Sequence, residues 1–289
     1  DYAASTGTSV VLVQGASVDD TLELLVHDIF SVADSVSAKD GGTFSGTIAA
    51  AGYSSSTAGT SNYIAGVNAG NSITAGGNFN VTVGDEAGTA ITTGDNNTAV
   101  GKDALKTNIT GSQNVAIGSE ALSLNTTNNN TAVGFYALKV NSSGTGNVAL
   151  GYASLDANTT GSNNTAVGAD ALTANTTGQR LVAVGTTALD ANTTGQRSTA
   201  VGYATLSTNT EGNYNTALGD IALQYNTTGD YNTGIGMGAL EANTTGDNNT
   251  AVGAESLDAN TTGHSNVAVG KSALTANTTA ANNTAIGND

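Results

Sequence analysis

The sequence predicts an all-β protein, a parallel β-roll or β-solenoid of seventeen-residue coils that follows a small N-terminal β domain. One motif, NTAVG and its variants, recurs along the chain at a nearly constant step, and its glycines lie at 101, 118, 134, 151, 168, 185, 202, 219, 236, 253, 270 and 287. The step is seventeen residues except for sixteen between Gly118 and Gly134. A fixed short period is the mark of a solenoid, in which each repeat stacks on its neighbours.

Positions counted from the motif glycine are filled with the same residue types in every repeat. Thr or Val stands three residues before it, Ala two before (Gly234 is the exception), and Val, Ile or Leu one before. Leu always stands four residues after the glycine and Asn seven after. Side chains alternate across a strand, so we expect the Thr/Val and Val/Ile/Leu columns to share the apolar inner face. Leu172 and its equivalents are expected in a second strand that closes the coil, and Gly168 in a turn with positive φ.

The alanine column, represented by Ala166, is expected on the opposite face of the strand. A stripe of methyl groups is too small to fill a core and would suit close approach of another sheet or chain. Exposure to solvent, or filling of a narrow roll, is the alternative interpretation.

The charge balance excludes some partners. The chain has 23 acidic and 7 basic residues, a formal net charge of −16, which disfavours nucleic acid and anionic membranes as partners. Cysteine is absent, so the chain holds no disulfide and no thiolate metal site. No apolar run approaches the length of a membrane span. We expect neither nucleic-acid binding nor membrane insertion.

Composition divides the chain into three zones. Residues 1–50 do not repeat, and the segments Thr8–Gln14 and Thr21–Phe30 are rich in aliphatic and β-branched residues, which predicts a β-hairpin or two sandwich strands in an attachment or connecting module. Residues 51–76 form a connector rich in Gly, Ser and Thr that includes a degenerate first coil around Gly66. Residues 77–289 form the solenoid array.

The asparagine column predicts a structural ladder, because stacked amides can hydrogen-bond along the axis. Its C-terminal members are Asn158, Asn175, Asn192, Asn209, Asn226, Asn243, Asn260 and Asn277. Asn-Thr-Thr is also a glycosylation acceptor sequence. However, a sequon at the same position of nearly every coil is explained better by the ladder.

Few residues suggest chemistry. The histidines, His27 and His264, are expected to be ordinary surface residues, and no group of catalytic side chains can be singled out. Asp95, Asp230 and Asp247 share one turn position without a calcium-repeat signature. We therefore expect no catalytic site, no metal site and no cofactor.

Tyrosines are the candidate surface-ligand contacts. Tyr214 and Tyr231 are seventeen residues apart and should lie one above the other, with Tyr203 and Tyr225 nearby. Stacked exposed aromatics can bind sugars, although they can also pack only on one another.

The motifs resemble two groups of proteins. NVAIG at 114–118 and NVAVG at 266–270 are similar to the NSVAIG motif in the heads of YadA-like trimeric autotransporter adhesins. That resemblance implies a left-handed parallel β-roll and a homotrimer, although the adhesin heads have shorter coils. The longer pattern NTAVGxxALxxNTTG resembles repeat arrays of bacteriophage tail fibres and virion appendages. The N-terminal GTSVVLVQGASVDDTLELLVHDIF resembles a module common in phage tail-fibre proteins.

These resemblances imply a structural fibre protein of a phage virion, a rigid extracellular rod involved in host attachment. Its partners would be other copies of itself, other virion proteins at the N-terminal end, and a host surface receptor such as a glycan. The alternative is a bacterial cell-surface adhesin or extracellular filament subunit. An ice-binding solenoid would need a flat array of paired Thr, but Val interrupts the column at 115, 148, 182 and 267.

Overall fold

The computed structural model describes the backbone of residues 2–5 and 9–12, and residues 58–288 in full. The chain divides into two units, Asp1–Ala51 and Gly52–Asp289.

The N-terminal unit contains an antiparallel pair of strands, β1 (Tyr2–Ser5) and β2 (Ser9–Leu12). Ser5 lies opposite Ser9, and Tyr2 lies opposite Leu12. Strand β2 falls inside the predicted strand Thr8–Gln14, and its partner is β1. The predicted strand Thr21–Phe30 lies outside the described residues.

The second unit is built on one parallel sheet of fourteen strands, in which each strand pairs with the one before and the one after it in sequence. Every strand has three residues. The strands are β3 (Tyr63–Ala65), β4 (Val81–Val83), β5 (Thr98–Val100), β6 (Val115–Ile117), β7 (Thr131–Val133), β8 (Val148–Leu150), β9 (Thr165–Val167), β10 (Val182–Val184), β11 (Thr199–Val201), β12 (Thr216–Leu218), β13 (Thr233–Ile235), β14 (Thr250–Val252), β15 (Val267–Val269) and β16 (Thr284–Ile286).

The register of the sheet is the register of the repeat. Thr165 pairs with Val182, which pairs with Thr199, so the same position of each coil lies beside its equivalent in the next. The sixteen-residue step keeps this pairing, since Val115 faces Thr131. Strands spaced about 4.8 Å apart give the fourteen-stranded sheet a length of about 62 Å. The predicted all-β parallel solenoid is therefore confirmed.

The prediction of a second strand around Leu172 is wrong. Asp170 and Leu172 have φ of 56° and 55°, whereas Ala169 and Ala171 keep negative φ. This alternation of sign folds the backbone into a tight turn instead of an extended strand. The turn is still bonded to its neighbour, because the N–H of Leu172 donates to the carbonyl of Ala188 at 3.0 Å.

The assignment of faces is also corrected by the structure. Ala166 is fully buried, while Thr165 and Val167 on either side of it are only partly covered. The core of the coil contains Ala166 together with Ala171 and Leu172. The coil is so narrow that only a methyl group fits between the sheet and the leucine column, and the larger β-branched side chains are therefore turned outward.

Gly168 shows why the motif ends in glycine. Its φ is +137°, a conformation that a side chain would strain. A Cβ atom there would also collide with the carbonyl of Gly185 in the next coil. The predicted positive φ at this column is confirmed.

The buried leucine column should carry much of the stability. We expect Leu172→Ala to lower the free energy of unfolding by about 2–5 kcal/mol, because it removes buried methyl groups and leaves a cavity. Urea unfolding followed by circular dichroism measures this change. Leu124→Ala is the matched control, since Leu124 is 46% exposed and should change stability by less than about 0.5 kcal/mol. Equal losses in the two variants would contradict this account of the core.

Candidate functional site

The asparagine column forms a continuous ladder of side-chain hydrogen bonds. The Nδ2 group of each donates to the Oδ1 atom of the one before, over 2.8–3.0 Å, beginning with Asn141 donating to Asn125. From Asn158 onward the members of the ladder are Asn158, Asn175, Asn192, Asn209, Asn226, Asn243, Asn260 and Asn277. The first seven are fully buried. Their sequon amides are thus used inside the coil and do not face solvent.

A second asparagine column, four residues before the motif glycine, reinforces the same turn. The backbone N–H of Asn164 donates to Oδ1 of Asn147 at 3.0 Å, and its Nδ2 donates to the carbonyl of Gly178 at 2.9 Å. Asn175 donates to that carbonyl too, at 3.2 Å. Gly178 has no room for a Cβ atom, which would lie 2.8 Å from Nδ2 of Asn192. Two amides therefore converge on one carbonyl in a typical coil.

The sixteen-residue repeat lacks this glycine but keeps the arrangement. The carbonyl of Thr127 takes its place and accepts from Nδ2 of Asn114 at 2.7 Å and of Asn125 at 2.8 Å. Across the sixteen-residue step Asn141 donates to Asn125 at 2.8 Å, but no hydrogen bond joins Asn125 to Asn108, whose buried Oδ1 has no partner, so the ladder starts at Asn125.

The aspartates of the TGD sequences are hydrogen-bond acceptors for the preceding coil. Oδ1 of Asp95 accepts the N–H of Asn78, that of Asp230 accepts the N–H of Asn213, and that of Asp247 accepts the N–H of Asp230, at 2.6–2.7 Å. Within residues 58–288 no three His, Cys, Asp or Glu side chains are grouped as a metal ion would require. These carboxylates have a structural task.

Two of the four candidate tyrosines lie together. The rings of Tyr214 and Tyr231 stack with centroids 4.7 Å apart and an interplanar angle of 6°. Both are exposed, at 39% and 55%. Tyr203 and Tyr225 are exposed in other columns, and no ring contact joins them to this pair among the described residues.

An arginine that sequence reasoning missed completes this stack. The guanidinium of Arg197 lies 5.1 Å from the Tyr214 ring centroid, and its Nη1 donates a hydrogen bond to the Tyr214 hydroxyl. Arg197 is one coil before Tyr214, and Arg180 is one coil before Arg197 at the same position. The seventeen-residue spacing of these four residues is the signal that could have revealed the group.

Charged side chains are paired near the start of the array. Lys106 bridges Glu86 at 2.5 Å and Asp103 at 2.9 Å, and Lys102 bonds Asp103 at 2.8 Å. The hydrogen bonds from Lys102 and Lys106 lower the pKa of Asp103. Further along, burial raises the pKa of Asp156 and of Asp190, and the Oδ1 atom of each is buried without a hydrogen-bond partner.

The outer face of the sheet is a second candidate surface. We define it by the side chains one and three residues before each motif glycine. Its exposed aliphatic members, each at least 39% accessible, are Ile117, Val148, Leu150, Leu218 and Ile286. The residue just after the motif glycine adds exposed apolar side chains at its edge, namely Phe135, Tyr152, Tyr203 and Met237. The rings of Phe135 and Tyr152 stack at 5.8 Å.

His264 lies exposed in a turn, with Nδ1 3.4 Å from the hydroxyl of Ser265, and His27 lies outside the described residues. Within the described part of the chain, no helix is long and apolar enough to cross a membrane.

A comparison with protein-family models, with curated proteins and with solved structures finds no match to this chain.

The asparagine ladder can be tested directly. Asn175→Ala removes the donor to Asn158 and Gly178 and the acceptor for Asn192, leaving buried polar groups unpaired. Each unpaired group costs about 1–3 kcal/mol, so we expect a large fall in the urea midpoint. Thr177→Ala, an exposed change in the same turn, should leave the midpoint nearly unchanged. A mild effect at Asn175 would show that the ladder is dispensable.

The buried carboxyl of Asp190 should make the stability of the fold depend on pH. Burial raises the pKa of its carboxyl in the folded state, and the N–H groups of Asp190 and Ala191 offset this only in part. The folded state therefore holds this proton more tightly, and stability falls as pH rises through the raised pKa. Asp190→Asn should raise the melting temperature at pH 7, with no gain below the ordinary aspartate pKa. Asp220→Asn, an exposed change, is the control. A gain that is equal at pH 7 and pH 3 would contradict the prediction.

Proposed function

We propose that this chain is a structural subunit of a bacteriophage tail fibre or virion appendage, an extracellular rod that takes part in host attachment. The observation that carries the proposal is the unbroken parallel sheet, in which β3 to β16 pair in strict sequence order. Such a ladder reaches about 62 Å. A stack of this kind resists bending because each coil is bonded to both neighbours. The motif resemblance supports a phage fibre in particular.

Self-association through the outer face is part of the proposal. A stripe of β-branched and aliphatic side chains runs along the outer face of the sheet, and contiguous exposed apolar side chains are typical of protein interaction sites. Three copies packed on this face would form the homotrimer that the YadA-like motif implies. The alanine column has no part in this contact, since it is buried within each chain.

Light scattering and negative-stain electron microscopy of the purified chain test the proposal. We expect a trimer and an elongated particle that contains a segment of about 60 Å for the array. A monomer at micromolar concentration, or a compact particle, would contradict the trimeric rod. Tail and baseplate genes beside its gene would support the phage assignment, whereas secretion-system genes would favour the bacterial adhesin.

A pair of variants locates the interface. Val167→Lys with Val201→Lys places two charges on the outer face, and we expect the trimer to dissociate while the β circular-dichroism signal remains. Thr177→Lys with Thr194→Lys adds the same charge on an exposed turn and should leave the trimer intact. Trimers in both variants would mean that the outer face is not the contact.

A further inference from the structure

One turn position of the array carries large cationic or aromatic side chains in four successive coils. The position is five residues before the glycine of each coil, and its φ is positive throughout residues 58–288. Asparagine occupies it five times, and the five remaining coils have Ser61, Phe79, Gln113, Gly146 and Ser265. Four adjacent coils instead place Arg180, Arg197, Tyr214 and Tyr231 there. We call these four residues the Arg–Tyr ridge.

The backbone conformation at this position is unfavourable for large side chains. Their φ values are 56–57°, in the left-handed region that asparagine tolerates and bulkier side chains disfavour. Arg197, Tyr214 and Tyr231 offset this cost in part by stacking on one another. Arg180 has no such compensation. The same backbone conformation recurs in every coil, for example at Phe79 and Gln113, so the feature particular to the ridge is its run of four large cationic or aromatic side chains in register.

The charge of the ridge is also unusual for this chain. Arg180 and Arg197 are its only arginines, in a protein of net charge −16. They occupy the same column of adjacent coils, where like charges repel. Both side chains are exposed, and neither guanidinium is within ion-pair distance of an acidic group of residues 58–288. A bound anion between them would remove this repulsion.

The side chains next to the Arg–Tyr ridge differ between its arginine end and its tyrosine end. Beside the arginines lie the exposed neutral amides Gln179 and Gln196. Beside the tyrosines lie Asn213 and Asp230, and the carboxylate of Asp230 is held by the N–H of Asn213. Glu211 is also exposed in this region. The arginine end therefore suits a negative group, and the tyrosine end suits a neutral one.

We propose that the Arg–Tyr ridge binds an acidic polysaccharide, with a carboxylate or sulfate group on Arg180 and Arg197 and sugar hydroxyls on the two tyrosine hydroxyls. Guanidinium groups bind such oxyanions with two parallel hydrogen bonds. The choice of a saccharide rests on the proposed role in attachment to a cell surface. Over the four coils the ridge is about 14 Å long, enough for a short stretch of a chain laid along the axis.

Single-stranded nucleic acid fits the ridge less well. Its binding sites stack bases on open aromatic faces, but Tyr214 has Arg197 on one face and Tyr231 on the other. The carboxylate of Asp230 would also repel evenly spaced phosphates. Only a ligand whose charges are separated by neutral, hydroxyl-rich units matches both ends.

Calorimetry with the full chain tests the proposal, with hyaluronan oligosaccharide, keratan sulfate, neutral dextran and oligothymidylate as probes. In hyaluronan a carboxylate sugar alternates with a neutral one, and keratan sulfate carries sulfate without carboxylate, so the two probes separate a carboxylate ligand from a sulfate ligand. We expect at least one of these two to bind, with an affinity that falls as salt is added. Arg180→Asn with Arg197→Asn should weaken that binding at least tenfold and still fold, because asparagine occupies this position in five other coils. Lys102→Asn with Lys271→Asn removes the same charge elsewhere and should bind like the original chain.

Other outcomes would overturn the proposal: no binding of either acidic saccharide, equal binding by the two double variants, or tighter binding of oligothymidylate or neutral dextran. Particle shape and mass, measured on the same samples, report on the rod separately. A trimeric rod that binds no acidic saccharide would refute the ridge assignment and leave the proposed function standing.

Discussion

Hydrogen bonding along the axis between equivalent positions of successive coils is the constraint on which the rest of the structure depends. It operates in the sheet, where Thr165 and Val182 pair, and it continues through the turns, where Leu172 bonds to Ala188. Buried backbone polar groups must be paired, and a coil of this size is too small to pair them within itself. Successive coils of nearly identical sequence solve this problem, because a backbone donor in one coil then lies beside a backbone acceptor in the next.

The same constraint explains the buried asparagines. An amide side chain has both a donor and an acceptor, so a column of asparagines can satisfy itself without end. In a typical coil, Asn164 and Asn175 also bind the carbonyl of the Gly178 turn. These two asparagines hold the turn in place through hydrogen bonds, because the leucine column provides little apolar contact there. Replacing two amides by water would leave that carbonyl with no fixed partner.

Regularity also gives exceptions a meaning. Each coil is nearly a copy of the last, so the residue at one position can be compared with the residues at the same position of the other coils. A run of unusual residues is then easy to recognise. The outer face varies only among Thr, Val, Ile and Leu, and this uniformity underlies the proposed contact with other copies. The Arg–Tyr ridge places two cations and two phenol rings in one column, and these groups are the basis of the proposed saccharide site.

The sequence by itself determined the period, the parallel stacking, the positive φ at Gly168 and the position of the asparagine column, because each follows from the recurrence of one residue type at one spacing. Only the tertiary structure decided which side of the strand is inside. Alternation separates Ala166 from Thr165 and Val167 but cannot say which face is covered, and the narrowness of the coil settled it in favour of alanine.

Leu172 illustrates the same limit. Its invariance marked it as part of the core, yet its left-handed backbone conformation depends on how the turn bonds to the next coil, which no local pattern records. The tyrosine pair followed from spacing alone, whereas the contribution of Arg197 depended on the direction of a side chain. Composition and period thus determine what repeats, and three-dimensional packing decides which way each repeated side chain points.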